Sequence, residues 1–247
     1  MRSALDPEMA ETRAAAAPMG YYGKLPARGD FVSQRLPPAF VSAWDEWLRA
    51  GLAASQAALG NGWLDAYLAA PLWRFVLPAG IAGGSAMIGV MMPSVDRAGR
   101  YFPLTLAAEL AVEPSLASCF SCAPWLAAIE AVALRAIEAA DDFAGFEADA
   151  AQVAPPPAAP APEAQPTDDG GLRVSLGGSG SDPVLRLAAH GAGAMHAGRS
   201  IFWTLGGQRV AAKALVSPAL PPAERFSEFL CDAVPTERDT DLFGGAG

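Results

Sequence analysis

The charged residues whose spacing best suits chemistry lie in two Gly/Pro-punctuated stretches. The first is Gly23-Lys24-Leu25-Pro26-Ala27-Arg28-Gly29-Asp30-Phe31-Val32. The second is Met92-Pro93-Ser94-Val95-Asp96-Arg97-Ala98-Gly99-Arg100-Tyr101-Phe102-Pro103-Leu104-Thr105. Each brings together a Pro of fixed φ, a permissive Gly and charges of both signs, the signature of a backbone bend that presents side chains. Arg and Asp offer ion pairing and anion recognition, in which the planar guanidinium fixes geometry. If the two islands meet in space, Arg28 is placed to pair with Asp96, and Asp30 with Arg97 or Arg100. Such a patch either pins two loops together or offers a directional surface to a partner. The alternative is an enzyme or small-molecule sensor that uses the Arg/Asp patch as an anion site.

Other reactive residues give less. Cys119-Phe120-Ser121-Cys122 has redox or zinc spacing, but Cys231 is single. His190 and His196 lie in Gly/Ala-rich sequence without ligand spacing. The three Cys therefore read as small buried residues. Gly83-Gly84 and Gly177-Gly178-Ser179-Gly180 lack the Lys-Ser/Thr of a phosphate loop. Ser200 has no nucleophile elbow around it. Two His leave few candidate bases. The residues thus point to no catalytic group, no metal and no cofactor, which favours an interaction module over an enzyme.

A formal net charge of −9 without a Lys/Arg cluster argues against nucleic acid and anionic membranes. The best membrane candidate, 79–92, lies between Pro78 and Pro93 and is too short and Gly-broken to insert. Asp6, Glu8 and Glu11 stand where a secretory signal needs an apolar run. With three Cys, this predicts a soluble protein in a reducing compartment, the cytoplasm.

The elements that must position the islands follow from periodicity. Residues 1–18 read as a disordered arm. Residues 20–25 and 31–34 read as short strands joined by the first island's bend. Pro37 and Pro38 suit a helix entry. Phe40, Trp44, Trp47, Leu48, Leu52 and Leu59 form one helical stripe, with Asp45 and Arg49 spaced i,i+4 off it. Gly60-Asn61-Gly62 stops this helix, and 63–70 forms a second. Strands are predicted at 72–77, 85–92 and 101–110, the last two joined over Asp96–Gly99 with Gly99 at positive φ. A helix then begins near Pro124, with a stripe of Trp125, Ile129, Val132, Ala136 and Ala140. The order ββαβββα implies an α+β fold: a mainly antiparallel sheet flanked by helices, analogous to longin or SNARE-like topology. Residues 148–182, rich in Pro, Ala and Gly, read as a flexible insertion within a single domain spanning 19–247. After it, 184–189 is ambiguous, 201–205 and 208–215 read as a hairpin over Gly206-Gly207, and 225–232 as a short helix. These pieces are expected to pack onto the N-terminal sheet or its helices, completing one domain; the alternative is a small second domain. Trp203 in its short strand reads as core.

The two islands, in this order, resemble the TagF/ImpM family of type VI secretion accessory proteins. Trp44, Trp47 and Ala70-Pro71-Leu72-Trp73-Arg74-Phe75 fit the same resemblance, which covers about 20–145 and returns at Gly198–Trp203. It implies a post-translational repressor acting in the bacterial cytoplasm by binding the forkhead-associated (FHA) scaffold of the secretion system. The positions it marks, as partner-binding or structural, are Gly23, Lys24, Pro26, Arg28, Gly29, Asp30, Phe31, Ser94, Asp96, Arg97, Gly99, Arg100, Tyr101, Ser200 and Trp203.

Overall fold

A computed structural model of the chain describes residues 17–111, 114, 122–157, 163–166, 172–175 and 197–232. The elements run β1 (Gly20–Gly23), β2 (Val32–Gln34), α1 (Pro38–Leu59), a 3-10 turn (Gly60–Gly62) and α2 (Trp63–Leu68). They continue with β3 (Trp73–Leu77), β4 (Met87–Met92), β5 (Leu104–Glu109), α3 (Ala123–Glu138) and α4 (Phe143–Gln152). The remainder is β6 (Glu163–Pro166), β7 (Leu172–Ser175), β8 (Ser200–Thr204), β9 (Lys213–Ser217) and a closing 3-10 helix (Ala223–Phe229).

Seven strands form one antiparallel sheet in the order β2-β1-β5-β4-β3-β8-β9. It is an α+β fold with helices on both faces. The alternation within β4 shows why two helical layers are required. Met87 and Met91 enter one core with Trp44, Phe75 and Phe202, whereas Ile88 and Val90 enter another with Ile129 and Val132. A strand apolar on both faces cannot leave either in water. The long helix α1 covers the first face and α3 with α4 the second. All six stripe residues of α1 are buried. Three indoles, two on α1 and one on β3, find partners across the core: Trp44 donates to Thr105 Oγ1 at 2.9 Å, Trp47 to the Pro221 carbonyl at 2.8 Å and Trp73 to the Phe229 carbonyl at 3.0 Å. The last two bonds hold the C-terminal segment onto the N-terminal layer, as buried polar groups require partners. Arg74, inside the apolar β3, is paired with Glu130 of α3 and so ties that helix to the sheet.

Three sequence expectations are corrected. Residues 148–152 belong to α4 rather than to a linker. Phe146 and Ala150 are buried at helical spacing, and Asp142 caps the helix by accepting from the Gly145 amide at 2.7 Å. Within the same Pro-rich stretch, β6 and β7 pair antiparallel from Glu163↔Ser175 to Pro166↔Leu172. The C-terminal hairpin is longer-looped than two glycines allow: Thr204 pairs with Lys213, so residues 205–212 form the loop. Here a Gly207 amide bond to the Val210 carbonyl closes a turn within the loop. Ala140 lies beyond the end of α3 and is exposed. The arm at 1–16, the segment 184–189, Cys119, His190, His196 and most of the remaining insertion lie outside the described residues.

Candidate functional site

The sheet order explains how islands distant in sequence become one site. β1 carries the first island at its end and pairs with β5, at whose start the second island ends. Gly23 makes the junction possible. Its φ is +136°, and a Cβ there would stand 2.1 Å from the Pro103 carbonyl oxygen. The chain then turns at Leu25-Pro26-Ala27-Arg28, with the Arg28 amide donating to the Leu25 carbonyl at 3.0 Å. Pro26 occupies the second turn position, where its fixed φ is already correct. The second island turns at Asp96–Gly99, where the Gly99 amide donates to the Asp96 carbonyl at 2.9 Å and φ is +80°. Gly29 has open space around its Cβ direction, so no packing demand explains it.

Asp96 is the hub. Its carboxylate is buried and takes the Lys24 ammonium at 2.5 Å and Arg100 Nε at 2.7 Å. Its other oxygen accepts the amides of Ala98 and Arg100, each at 2.9 Å. Burial alone would raise the carboxyl's pKa, but the Lys24 ammonium and the Arg100 amide and guanidinium outweigh it and hold it well below the usual carboxylate range. Backbone bonds complete the joint. The Arg97 amide donates to the Arg28 carbonyl at 2.9 Å, Arg97 Nη2 to the Ala27 carbonyl at 2.6 Å, and Ser94 Oγ to the Lys24 carbonyl at 2.7 Å. Arg100 Nη2 also donates to the Gly29 carbonyl.

The expected pairing of Arg28 with Asp96, and of Asp30 with Arg97 or Arg100, is not what forms. Arg28 lies over the Phe143 ring at 4.0 Å, and the Asp30 carboxylate caps the Phe31 amide at 2.8 Å. Lys24 takes the place assigned to Arg28 because it follows a buried strand and is itself buried. That signal was present: a lysine between Gly23 and the apolar Leu25 at a strand end needs a carboxylate if the strand is covered. Tyr67 was also missed. Its hydroxyl donates to the Ser94 carbonyl at 2.9 Å and accepts the Ser94 amide at 3.0 Å, securing the second island to α2. Phe31 is stacked among Tyr22, Phe102 and the Arg49 guanidinium. Tyr101 is partly exposed against Trp63 and Tyr67.

Ser200 and Trp203 sit elsewhere, on β8. Ser200 is buried; its hydroxyl donates to the Ala219 carbonyl at 2.5 Å and lies 3.2 Å from the Ser217 carbonyl, clasping β8 to β9 and the chain just after it. Phe202 fills the α1 core while Trp203 packs half-buried on the opposite face. Cys122 and Cys231 are buried, and burial pushes the Cys122 thiol up to about 11. Among the described residues no group of three or more His, Cys, Asp or Glu could hold a metal ion, and no helix is long and apolar enough to cross a membrane.

What remains accessible is a rim of Arg28, Gly29 and Asp30 beside Arg97, Ala98, Gly99, Arg100 and Tyr101. Two of its three exposed guanidiniums, those of Arg28 and Arg100, differ in what they hold. Charge reversal of Arg28 is expected to change stability by less than about 1 kcal/mol, the scale of an exposed cation–π contact. Reversal of Arg100 sets a carboxylate against buried Asp96 and should cost about 1–3 kcal/mol. Thermal melts of Arg28→Glu and Arg100→Glu check this, and equal losses would contradict it.

Residues 20–153 match the family model described as the TagF N-terminal domain, type VI secretion system-associated. The match spans just over half of the 247 residues. It takes in both islands and stops before β8 and β9 complete the sheet. The chain is also similar to the crystal structure of PA0076 from Pseudomonas aeruginosa PAO1, with a TM-score of 0.72 and 39% identity over 93% of this chain and 100% of that one. No curated protein matches.

Proposed function

Because the chain belongs to the TagF family of type VI secretion system-associated proteins, we propose that it is a non-enzymatic cytoplasmic repressor of that system. In this reading it binds the FHA-domain scaffold and keeps it from promoting assembly and firing. The observation that supports this best is how the island charges are used. Asp96, Lys24 and Arg100 lock two loops into one rigid joint, and the exposed rim stands on that joint. A surface held in one geometry before contact loses little entropy on binding, which suits recognition of a protein. The anion-site alternative is less well served. Arg97 is engaged by the Ala27 carbonyl, Arg100 by Asp96 and Gly29, and Arg28 by Phe143.

Deletion of the gene is expected to raise secretion of type VI tube and effector proteins without raising their transcription. Overexpression is expected to silence secretion, and the FHA scaffold should co-purify with the tagged chain. Unchanged secretion in both strains, with the system active, overturns the repressor reading.

A further inference from the structure

We propose that the outer edge of β2 is a docking groove for an extended, lysine- or arginine-bearing segment of a partner protein, taken up as an added strand. This rests on the reading of the chain as a binding protein and gives the chemistry of what it binds. Among the described residues β2 ends the sheet, so one row of its main-chain groups faces away from β1. A cleft of about 510 Å³ lies along it. Successive side chains of a strand point to opposite faces, so a hollow on one face would meet alternate residues. This one meets Val32, Ser33 and Gln34 alike, so it runs the length of the strand on the side where Phe143 and Glu147 stand. Across the groove stand Phe143 and Glu147 of α4. An edge strand facing a helix across a groove is the arrangement by which sheets accept peptides as extra strands. Three strand residues extend about 10 Å, enough to seat three or four residues of a partner.

The charge of the groove selects the occupant. Asp30 and Glu147 line it, the capping Asp142 starts the helix that carries Glu147, and Asp149 further along is paired with Arg135 at 2.9 Å. Glu147 accepts the Tyr21 hydroxyl at 3.0 Å and keeps lone pairs for a second donor. The lining cation, Arg28, lies on Phe143, and nearby Arg35 donates to the Met19 carbonyl at 2.8 Å. The chain as a whole carries a net charge of −9, which draws a basic segment inward. The opposite edge, β9, begins with Lys213 paired to Asp232, a charged edge of the kind that discourages strand addition.

The test titrates the isotope-labelled full chain with a ten-residue alternating Val/Lys peptide and with its Val/Glu counterpart, followed by amide NMR. The Val/Lys peptide is expected to shift the amides of Val32–Gln34 and of Phe143–Glu147, with affinity about tenfold above the Val/Glu peptide. Arg28→Glu should tighten Val/Lys binding, and the double variant Asp30→Asn/Glu147→Gln should erase the preference. Ser33→Pro and Gln34→Pro are made separately. Adjacent amides face opposite sides, so the variant that keeps its melting temperature should lose the peptide. If both unfold, the charge variants decide alone. No shift at β2 with either peptide, or binding indifferent to the charge variants, overturns the groove. That result beside raised secretion in the deletion strain removes the groove and leaves the repressor standing. Unchanged secretion removes the repressor whatever the peptides do.

Discussion

Asp96→Asn is expected to lower the melting temperature by on the order of 10 °C, the largest effect of any island substitution. The side chain keeps its shape and can still accept the Ala98 and Arg100 amides. What it loses is the charge facing the buried Lys24 ammonium. Breaking a buried pair by removing one partner costs about 3–5 kcal/mol, because the other charge is left without compensation. Lys24→Met in the same chain should restore much of the loss, since removal of both charges leaves none stranded. A single variant as stable as the parent, or a double variant no better than the single, would show that the joint does not depend on this pair.

The same carboxyl predicts the sign of the acid response. Its pKa in the folded chain is depressed, so its contribution is fully present above the unfolded value near 3.9. The contribution is lost progressively as pH falls below that value toward the folded pKa. Stability of the parent should therefore drop more steeply from about pH 5 to pH 2 than stability of Asp96→Asn, measured as denaturant midpoints along a pH series. Parallel curves would remove Asp96 as a source of acid sensitivity.

Gly23→Ala is expected to be nearly as damaging, by a different route. The added methyl meets the Pro103 carbonyl at 2.1 Å, and φ of +136° is a conformation that L side chains rarely adopt. Overpacking and backbone strain together cost about 2–5 kcal/mol. Relief requires β1 to move from the start of β5, which would part the two islands. Gly29→Ala is the matched control: its Cβ direction is open, so stability should stay within about 0.5 kcal/mol. Equal effects at both glycines would refute the close approach at Gly23.

Sequence by itself determined the elements whose signal is local. The α1 stripe from Phe40 to Leu59 was legible because 3.6-residue spacing forces those side chains onto one face, and all of them are buried. Gly99 at positive φ and the Asp45–Arg49 pair were legible for the same reason, since both are settled within one turn of chain. The family was legible too, through two long motifs in order. Tertiary structure alone decided which charges meet. Arg28, Lys24, Arg97 and Arg100 are all plausible partners for Asp96 by type. The choice of Lys24 and Arg100 follows from the β1–β5 register and from burial, which demands compensation only for groups withdrawn from water. Arg28 stays exposed, so nothing compels it to find a carboxylate, and Phe143 of a helix hidden by Pro/Ala-rich composition receives it instead. The groove along β2 was likewise invisible in sequence. It is bounded by an edge strand and a helix more than a hundred residues later, and only the folded sheet order brings them face to face.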